Sequence, residues 1–222
     1  MIKLALLDVD GTLTDKTRLI STKVVETISD VQKSGTLVSL VSGNVIPAMY
    51  ALKTFVGINA PVFGENGGVM LDADVEVFFS MEKPKRFFDE ITGLGMADNL
   101  MTNRWRTCSM GYYPKNGSED EIVSLSGKRD LEIANSGFSW HILNRGQNKG
   151  YALNYLRKRY SLNLDEILVV GDSFNDIPMF LDEVKKAVPA NAESRLKERA
   201  DYVASVPYGE GVAEILQKAS RL

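Results

Sequence analysis

The chain opens on an apolar run, Ile2-Lys3-Leu4-Ala5-Leu6-Leu7, that stops at Asp8 and reads as a mostly buried strand entering a polar loop. Val24, Ile28 and Val31 follow at helical spacing, with Ser21 or Thr22 as N-cap and Gly35 at the C-terminal end. A second apolar run, Thr36–Val41, ends at Ser42-Gly43-Asn44. A helix is expected over Val45–Phe55, with Pro47 tolerated in its first turn. A short strand at Pro61–Phe63 runs into Gly64-Glu65-Asn66-Gly67-Gly68. This alternation predicts a parallel sheet covered by helices.

The rhythm then breaks. Val69–Leu71 and Val75–Phe79 predict a hairpin around Asp72-Ala73-Asp74. From Glu82 to Arg145 the text is more polar. It predicts helices over Lys85–Ile91 and from about Ser118, and a hairpin of Leu131–Ala134 with Phe138–Leu143 around Asn135-Ser136-Gly137. The α/β rhythm resumes at Lys149. A helix is expected to about Tyr160, then strands at Glu166–Val170, Lys186–Val188 and Tyr202–Val203, and a last helix from Val212. The expected fold class is therefore α/β: a Rossmann-like parallel core, with helices on both faces, built from residues 1-81 and 146-222. Residues 82-145 form an inserted α+β cap domain.

Composition narrows the function classes. With 44% hydrophobic and 25% charged residues, the 222-residue chain is an ordinary folded protein. Its formal net charge of -3 gives no general attraction to nucleic acid or to an anionic membrane, so neither is an expected partner. The four-residue basic cluster Lys83-Pro84-Lys85-Arg86 is too short for a nucleic-acid patch and reads as a solvated helix start. No window has the length of a spanning helix or the pattern of a signal peptide, and Cys108 is the only cysteine. A cytoplasmic protein is the expectation. Cys108 lacks a neighbouring histidine and reads as a small hydrophobe.

In open parallel sheets, ligands gather where strands end at their carboxyl side. Three polar signals fall there: Asp8-Val9-Asp10-Gly11-Thr12, Ser42-Gly43-Asn44, and Gly171-Asp172-Ser173-Phe174-Asn175-Asp176; Lys149 opens the helix after the insertion. Read singly, each is also an ordinary turn, cap or exposed side chain. Together they imply a converging carboxylate cluster. Two unit charges 4 Å apart repel by about 4 kcal/mol at a partly buried site. Such a cluster calls for a hard cation such as Mg²⁺, and Lys149 with Ser42 suits a phosphate. With the ordinary carboxylate pKa of about 3.9, Asp8 is expected to be ionised at neutral pH and to need no base to act as nucleophile. Asp10, two residues on, is placed to protonate a leaving oxygen and to deprotonate water.

These four segments resemble the haloacid dehalogenase-like phosphatase superfamily. Asp8-Val9-Asp10-Gly11-Thr12-Leu13-Thr14 matches its nucleophile loop; Ser42, Lys149, and Asp172 with Asp176 stand in its second, third and fourth motifs. The resemblance implies Asp8 as nucleophile and Asp10 as acid/base. It implies Mg²⁺ held by Asp8, the Asp10 backbone carbonyl and Asp172, with Asp176 in support. It places Ser42, Gly43, Asn44, Lys149 and Asn175 around the substrate. The position of the insertion, the Gly64–Gly68 segment and Gly209-Glu210-Gly211-Val212-Ala213 resemble the sugar-phosphatase-like branch. Thr102-Asn103-Arg104-Trp105 and Ser139–Gly146 resemble archaeal phosphoglycolate phosphatases within it.

The implied substrate is a small phosphomonoester. A glycolate carboxylate would suit an arginine; Arg104, Arg106 and Arg145 stand as candidates on equal terms, with Asn44 and Asn103 as neutral donors. His141, the one histidine, is read as packed or substrate-adjacent, and Trp105 and Trp140 as cap-core or cleft-lining aromatics. Sugar phosphates are the rival substrates, and a phosphotransferase or a phospho-accepting signalling domain the rival classes. Phe78-Phe79 and Phe87-Phe88 read as core, with a homodimer interface kept open.

Overall fold

The computed structural model describes residues 1–115, 117–137 and 139–219. Twelve strands and seven α-helices are seen among them. The first part runs β1 (Leu4–Asp8), α1 (Thr22–Lys33), β2 (Leu37–Val41), α2 (Ile46–Val56), β3 (Val62–Gly64), β4 (Val69–Leu71) and β5 (Val75–Val77). A middle part holds α3 (Glu82–Gly93), β6 (Ala97–Asn99), β7 (Met110–Pro114), α4 (Glu119–Gly127), β8 (Leu131–Asn135) and β9 (Trp140–Asn144). The last part runs α5 (Lys149–Arg159), β10 (Ile167–Val170), β11 (Lys185–Val188), α6 (Ser194–Lys197), β12 (Tyr202–Val203) and α7 (Tyr208–Lys218).

Two sheets result. The larger has the order β12-β11-β10-β1-β2-β3-β4-β5, parallel from β12 to β3 and antiparallel at β4 and β5. β1 is central: β2 and β3 extend one side of it, and the chain returns to the other side only at β10. Loops after β1, β2 and β10 therefore open at one switch point, where ligands of such sheets bind. Register keeps them level, with Asp8 opposite Val41 and Leu7 opposite Val170.

β1 is buried along its whole length because apolar clusters cover both faces of the sheet. Ala5 and Leu7 pack with Val24 and Ile28 of α1 and with Val212 and Leu216 of α7. Leu4 and Leu6 pack with Leu153 and Leu156 of α5. Ser21 caps α1 by accepting from the Val24 N–H, as the sequence predicts. The last helix begins at Tyr208, four residues earlier than expected from apolar spacing, directly after Pro207.

The smaller sheet, order β6-β7-β9-β8, is antiparallel throughout, with α3 and α4 against one face. Its strands alternate sides. Met110, Tyr112 and Ile142 enter a core with Phe87, Phe88 and Ile91. The intervening Tyr113 and His141 point the other way, into a cavity bordered by the larger sheet's loops. The expected 131–143 hairpin forms, with Phe138 outside the described residues. β6 and β7 were not legible as strands: three residues of one are polar or small, and the other is interrupted by Gly111. Phe87 and Phe88 are core, as read, whereas Phe78 and Phe79 are half-buried, with their rings against Tyr151. No helix among the described residues is long and apolar enough to cross a membrane.

Candidate active site

Asp8 ends β1 and is 2% exposed. Lys149, the first residue of α5 and equally buried, donates to Asp8 Oδ1 at 2.5 Å and to Asp176 Oδ1 at 2.6 Å. A lysine at a helix N-terminus is electrostatically unfavourable. Here two carboxylates offset that cost, and Asn148 caps the helix through the Gly150 N–H. Asp176 Oδ2 accepts from the backbone N–H groups of Asp172 and Ser173. It thereby braces the loop after β10, with both oxygens already engaged. Asp8 Oδ2, by contrast, is buried without a hydrogen-bond partner.

Asp172 lies across from Asp8 and takes a hydrogen bond from the Thr12 hydroxyl at 3.1 Å. The β1 loop passes so close that a side chain at Gly11 would displace the Asp172 carboxylate and strain the backbone. Its φ is +84°, and a Cβ there would stand 2.4 Å from Asp172 Oδ2. Oxygens of Asp8, Asp172 and Asp176 all fall within 4.8 Å of one another. Burial pushes Asp8 well above the ordinary carboxylate range; Lys149 pulls it down, while Asp176 and Asp172 push it further up. Burial, then Asp176, brings Asp172 up to about 6. Burial pulls Lys149 down, but Asp176 and Asp8 outweigh it and hold the group as an ammonium, above the ordinary lysine range. Three carboxylates thus share one lysine. The residual negative charge and the all-oxygen donors fit a divalent metal ion.

Asp10 sits at the mouth of the site. Its Oδ2 accepts from Asn44 Nδ2 at 2.6 Å and from Ser42 Oγ at 3.2 Å, and Arg18 lies 3.4 Å from Oδ1. Asp8, Asp10, Gly43, Asn44, Lys149 and Asn175 line one cavity of about 360 Å³. Of the sequence-predicted set, Ser42 is fully buried behind that wall, accepting from the Asn44 N–H and amide. Asp172 faces an adjoining cleft of about 770 Å³, and Asp176 lies beneath both.

The insertion supplies the far wall, and here the arginine candidates separate. Arg104 is exposed over the Trp105 ring, and Arg145 is exposed and paired with Asp130. Asn103 is consumed locally, exchanging hydrogen bonds with the Gly111 backbone. None of these three lines the cavity. Arg106 does: it is 8% exposed and donates to Ser109 Oγ and to the Gly43 carbonyl. His141 is also on this wall, 3.1 Å from Ser139 Oγ. Burial, then Arg106 and Lys149, depress it well below the usual histidine range, so it is neutral at neutral pH. Arg18 and Glu65 are site residues that sequence reasoning did not single out. Only the Gly64–Gly68 motif pointed toward the second.

Comparison with known proteins shows the family. The family model for haloacid dehalogenase-like hydrolases matches residues 5–133 and 128–216. A phosphoglycolate phosphatase of Thermoplasma volcanium is 51% identical over 217 residues, covering 97% of each chain. One of Thermoplasma acidophilum is 49% identical over 219 residues, covering 98% of each. A crystal structure of a Thermoplasma acidophilum protein superposes over 100% of both chains with a TM-score of 0.96 at 47% identity. A central parallel sheet with aspartates at its switch point, matched over nearly the whole chain, carries the conclusion: this chain belongs to the haloacid dehalogenase-like hydrolases.

Proposed function

We propose that this enzyme, a phosphatase, is Mg²⁺-dependent and hydrolyses 2-phosphoglycolate to glycolate and phosphate through an aspartyl-phosphate. The observation that carries the reading is the buried Asp8 carboxylate: one oxygen is held by Lys149 and the other is unpartnered beside a small polar cavity. The substrate assignment is supported by the phosphoglycolate phosphatases that share about half of this sequence.

An Asp8 oxygen attacks phosphorus, and the bond to the ester oxygen breaks. Asp10 gives its proton to the departing glycolate oxygen. In the second half, a water attacks the phosphorus of the aspartyl-phosphate. Asp10 takes the water's proton, the phosphorus–Asp8 bond breaks, and inorganic phosphate leaves. Lys149 and the Gly43–Asn44 loop hold the phosphoryl oxygens; Ser42 holds Asn44 and Asp10 in place. Asp8, Asp172 and the Asp10 carbonyl would hold Mg²⁺, with Asp176 fixing the loop. When bound there, such an ion would supply positive charge against the phosphoryl and carboxylate oxygens. The inserted residues 82-145 act as the cap that excludes water from this exchange. The 770 Å³ cleft, walled by Ile133, Trp140 and Leu143, favours larger esters such as sugar phosphates as the second reading.

Phosphate release from phosphoglycolate, several sugar phosphates and p-nitrophenyl phosphate tests this, with Mg²⁺ and with chelator. Turnover should be highest on phosphoglycolate, vanish with chelator, and fall at least about 10⁴-fold in Asp8→Asn. Asp8→Asn turning over normally would refute the mechanism; a sugar phosphate winning would replace the substrate.

A further inference from the structure

We infer that Arg106 is the residue that selects a carboxylate on the leaving group, and that Glu65, reaching from the larger sheet into the insertion, is its positioning residue. The inference rests on the phosphatase reading and names how that site would choose its substrate.

The cavity beside Asp8 is asymmetric. Its floor carries the aspartates, while Arg106, His141 and Thr102 form the opposite wall. Several of these side chains keep buried polar atoms unpartnered: Arg106 Nε, His141 Nδ1, Thr102 Oγ1 and, on the floor, Asp8 Oδ2. Buried polar atoms are nearly always satisfied, so this concentration on one small cavity points to a polar ligand. Arg106 has five N–H groups, and the hydrogen bonds to Ser109 and Gly43 use two. Its guanidinium is the cation of that wall, and it is a planar fork that matches a carboxylate. The neutral His141 adds no competing charge.

The bond to the Gly43 carbonyl, at 3.2 Å, ties the guanidinium to the same loop whose next residue, Asn44, holds Asp10. Asp8 and Arg106 line one cavity, so a ligand can meet both.

Glu65 explains why Arg106 stays there. Fully buried, it accepts from the Thr107 N–H at 2.7 Å, the Thr107 hydroxyl at 3.0 Å, the Cys108 N–H at 3.1 Å and the Ser109 hydroxyl at 2.7 Å. These residues directly follow Arg106. Glu65 and its neighbour Asn66 both adopt left-handed backbone, at φ +50° and +56°. Asparagine tolerates this region, but for a residue such as Glu65 it costs roughly 1–2 kcal/mol. The strain aims the carboxylate across the boundary, where four donors hold it.

The test compares the full-length wild type with Arg106→Gln, Arg106→Lys and Glu65→Gln, each checked for a cooperative thermal melt. The readout is the ratio of kcat/KM for phosphoglycolate to that for p-nitrophenyl phosphate. Arg106→Gln should lower it about 50-fold, the scale of a lost charged hydrogen bond. Arg106→Lys should recover part of that through KM. Glu65→Gln should raise KM for phosphoglycolate about fivefold with little change in kcat. Glycolate binding by calorimetry reads the carboxylate site without turnover, and should be lost in Arg106→Gln. A ratio within twofold of wild type in both Arg106 variants, or undiminished glycolate binding, would overturn the inference. A wild type that binds glycolate through Arg106 yet releases no phosphate would refute the phosphatase reading while upholding Arg106 as a carboxylate site.

Discussion

Two regions of this molecule bury carboxylates, and they do so in opposite ways. At the boundary between the sheets, Glu65 is alone and fully satisfied by fixed donors from residues 107–109. At the rim of the larger sheet, Asp8, Asp172 and Asp176 crowd around one lysine, with an Asp8 oxygen left bare. The first arrangement is finished by the protein itself and serves as structure. The second keeps one carboxylate oxygen unpartnered beside a carboxylate cluster that fits a divalent metal ion. A buried charge without its full set of partners is costly, and such a cost persists where function maintains it.

The sharpest way to break the contrast is to remove Lys149. Lys149→Met leaves Asp8 and Asp176 without their shared cation, and should reduce phosphate release about 10³-fold. It should also cost about 3 kcal/mol of stability, as for a broken buried ion pair, read by denaturant unfolding in the presence of chelator. Glu65→Ala attacks the finished region instead. It strands the donors of residues 107–109 and should cost about 2 kcal/mol, with the Asp8 chemistry on p-nitrophenyl phosphate reduced far less than by Lys149→Met.

The smallest effect sharpens the comparison by pH. Asp172 is raised to about 6 and Asp8 is raised as well, so the folded, metal-free protein binds protons that the unfolded chain releases. These two groups therefore contribute stability that is fully present below the ordinary carboxylate range and is lost as pH rises through about 6. Melting in chelator at pH 5 and pH 7 should show this decline, and Asp172→Asn should flatten it. Added Mg²⁺ should raise the pH 7 melting temperature of the wild type more than that of the variant.

Much of the rim was readable before any coordinates. Asp8, Ser42 and Asp172 each follow an apolar run, and a strand's end is a local property of sequence. Parallel packing then brings such ends level without further instruction. Lys149 was legible for a related reason: it opens a helix, where a cation has no local justification. The insertion was less legible. β6 and β7 are short, polar or glycine-broken, and they form strands because neighbours pair with them.

The division follows from range. Periodicity and turn chemistry determined the α/β core, the inserted unit and the carboxylates at the strand ends, because each depends on residues a few positions apart. Sequence left Arg104, Arg106 and Arg145 equivalent. Only the docking of the smaller sheet onto the larger exposes the first and last to solvent and carries Arg106 to the Gly43 carbonyl. The same docking turns Glu65 from one acidic residue in a glycine-rich loop into the anchor of a segment 42 residues further along the chain. Contacts at that separation depend on how two apolar surfaces meet, and no local pattern encodes them.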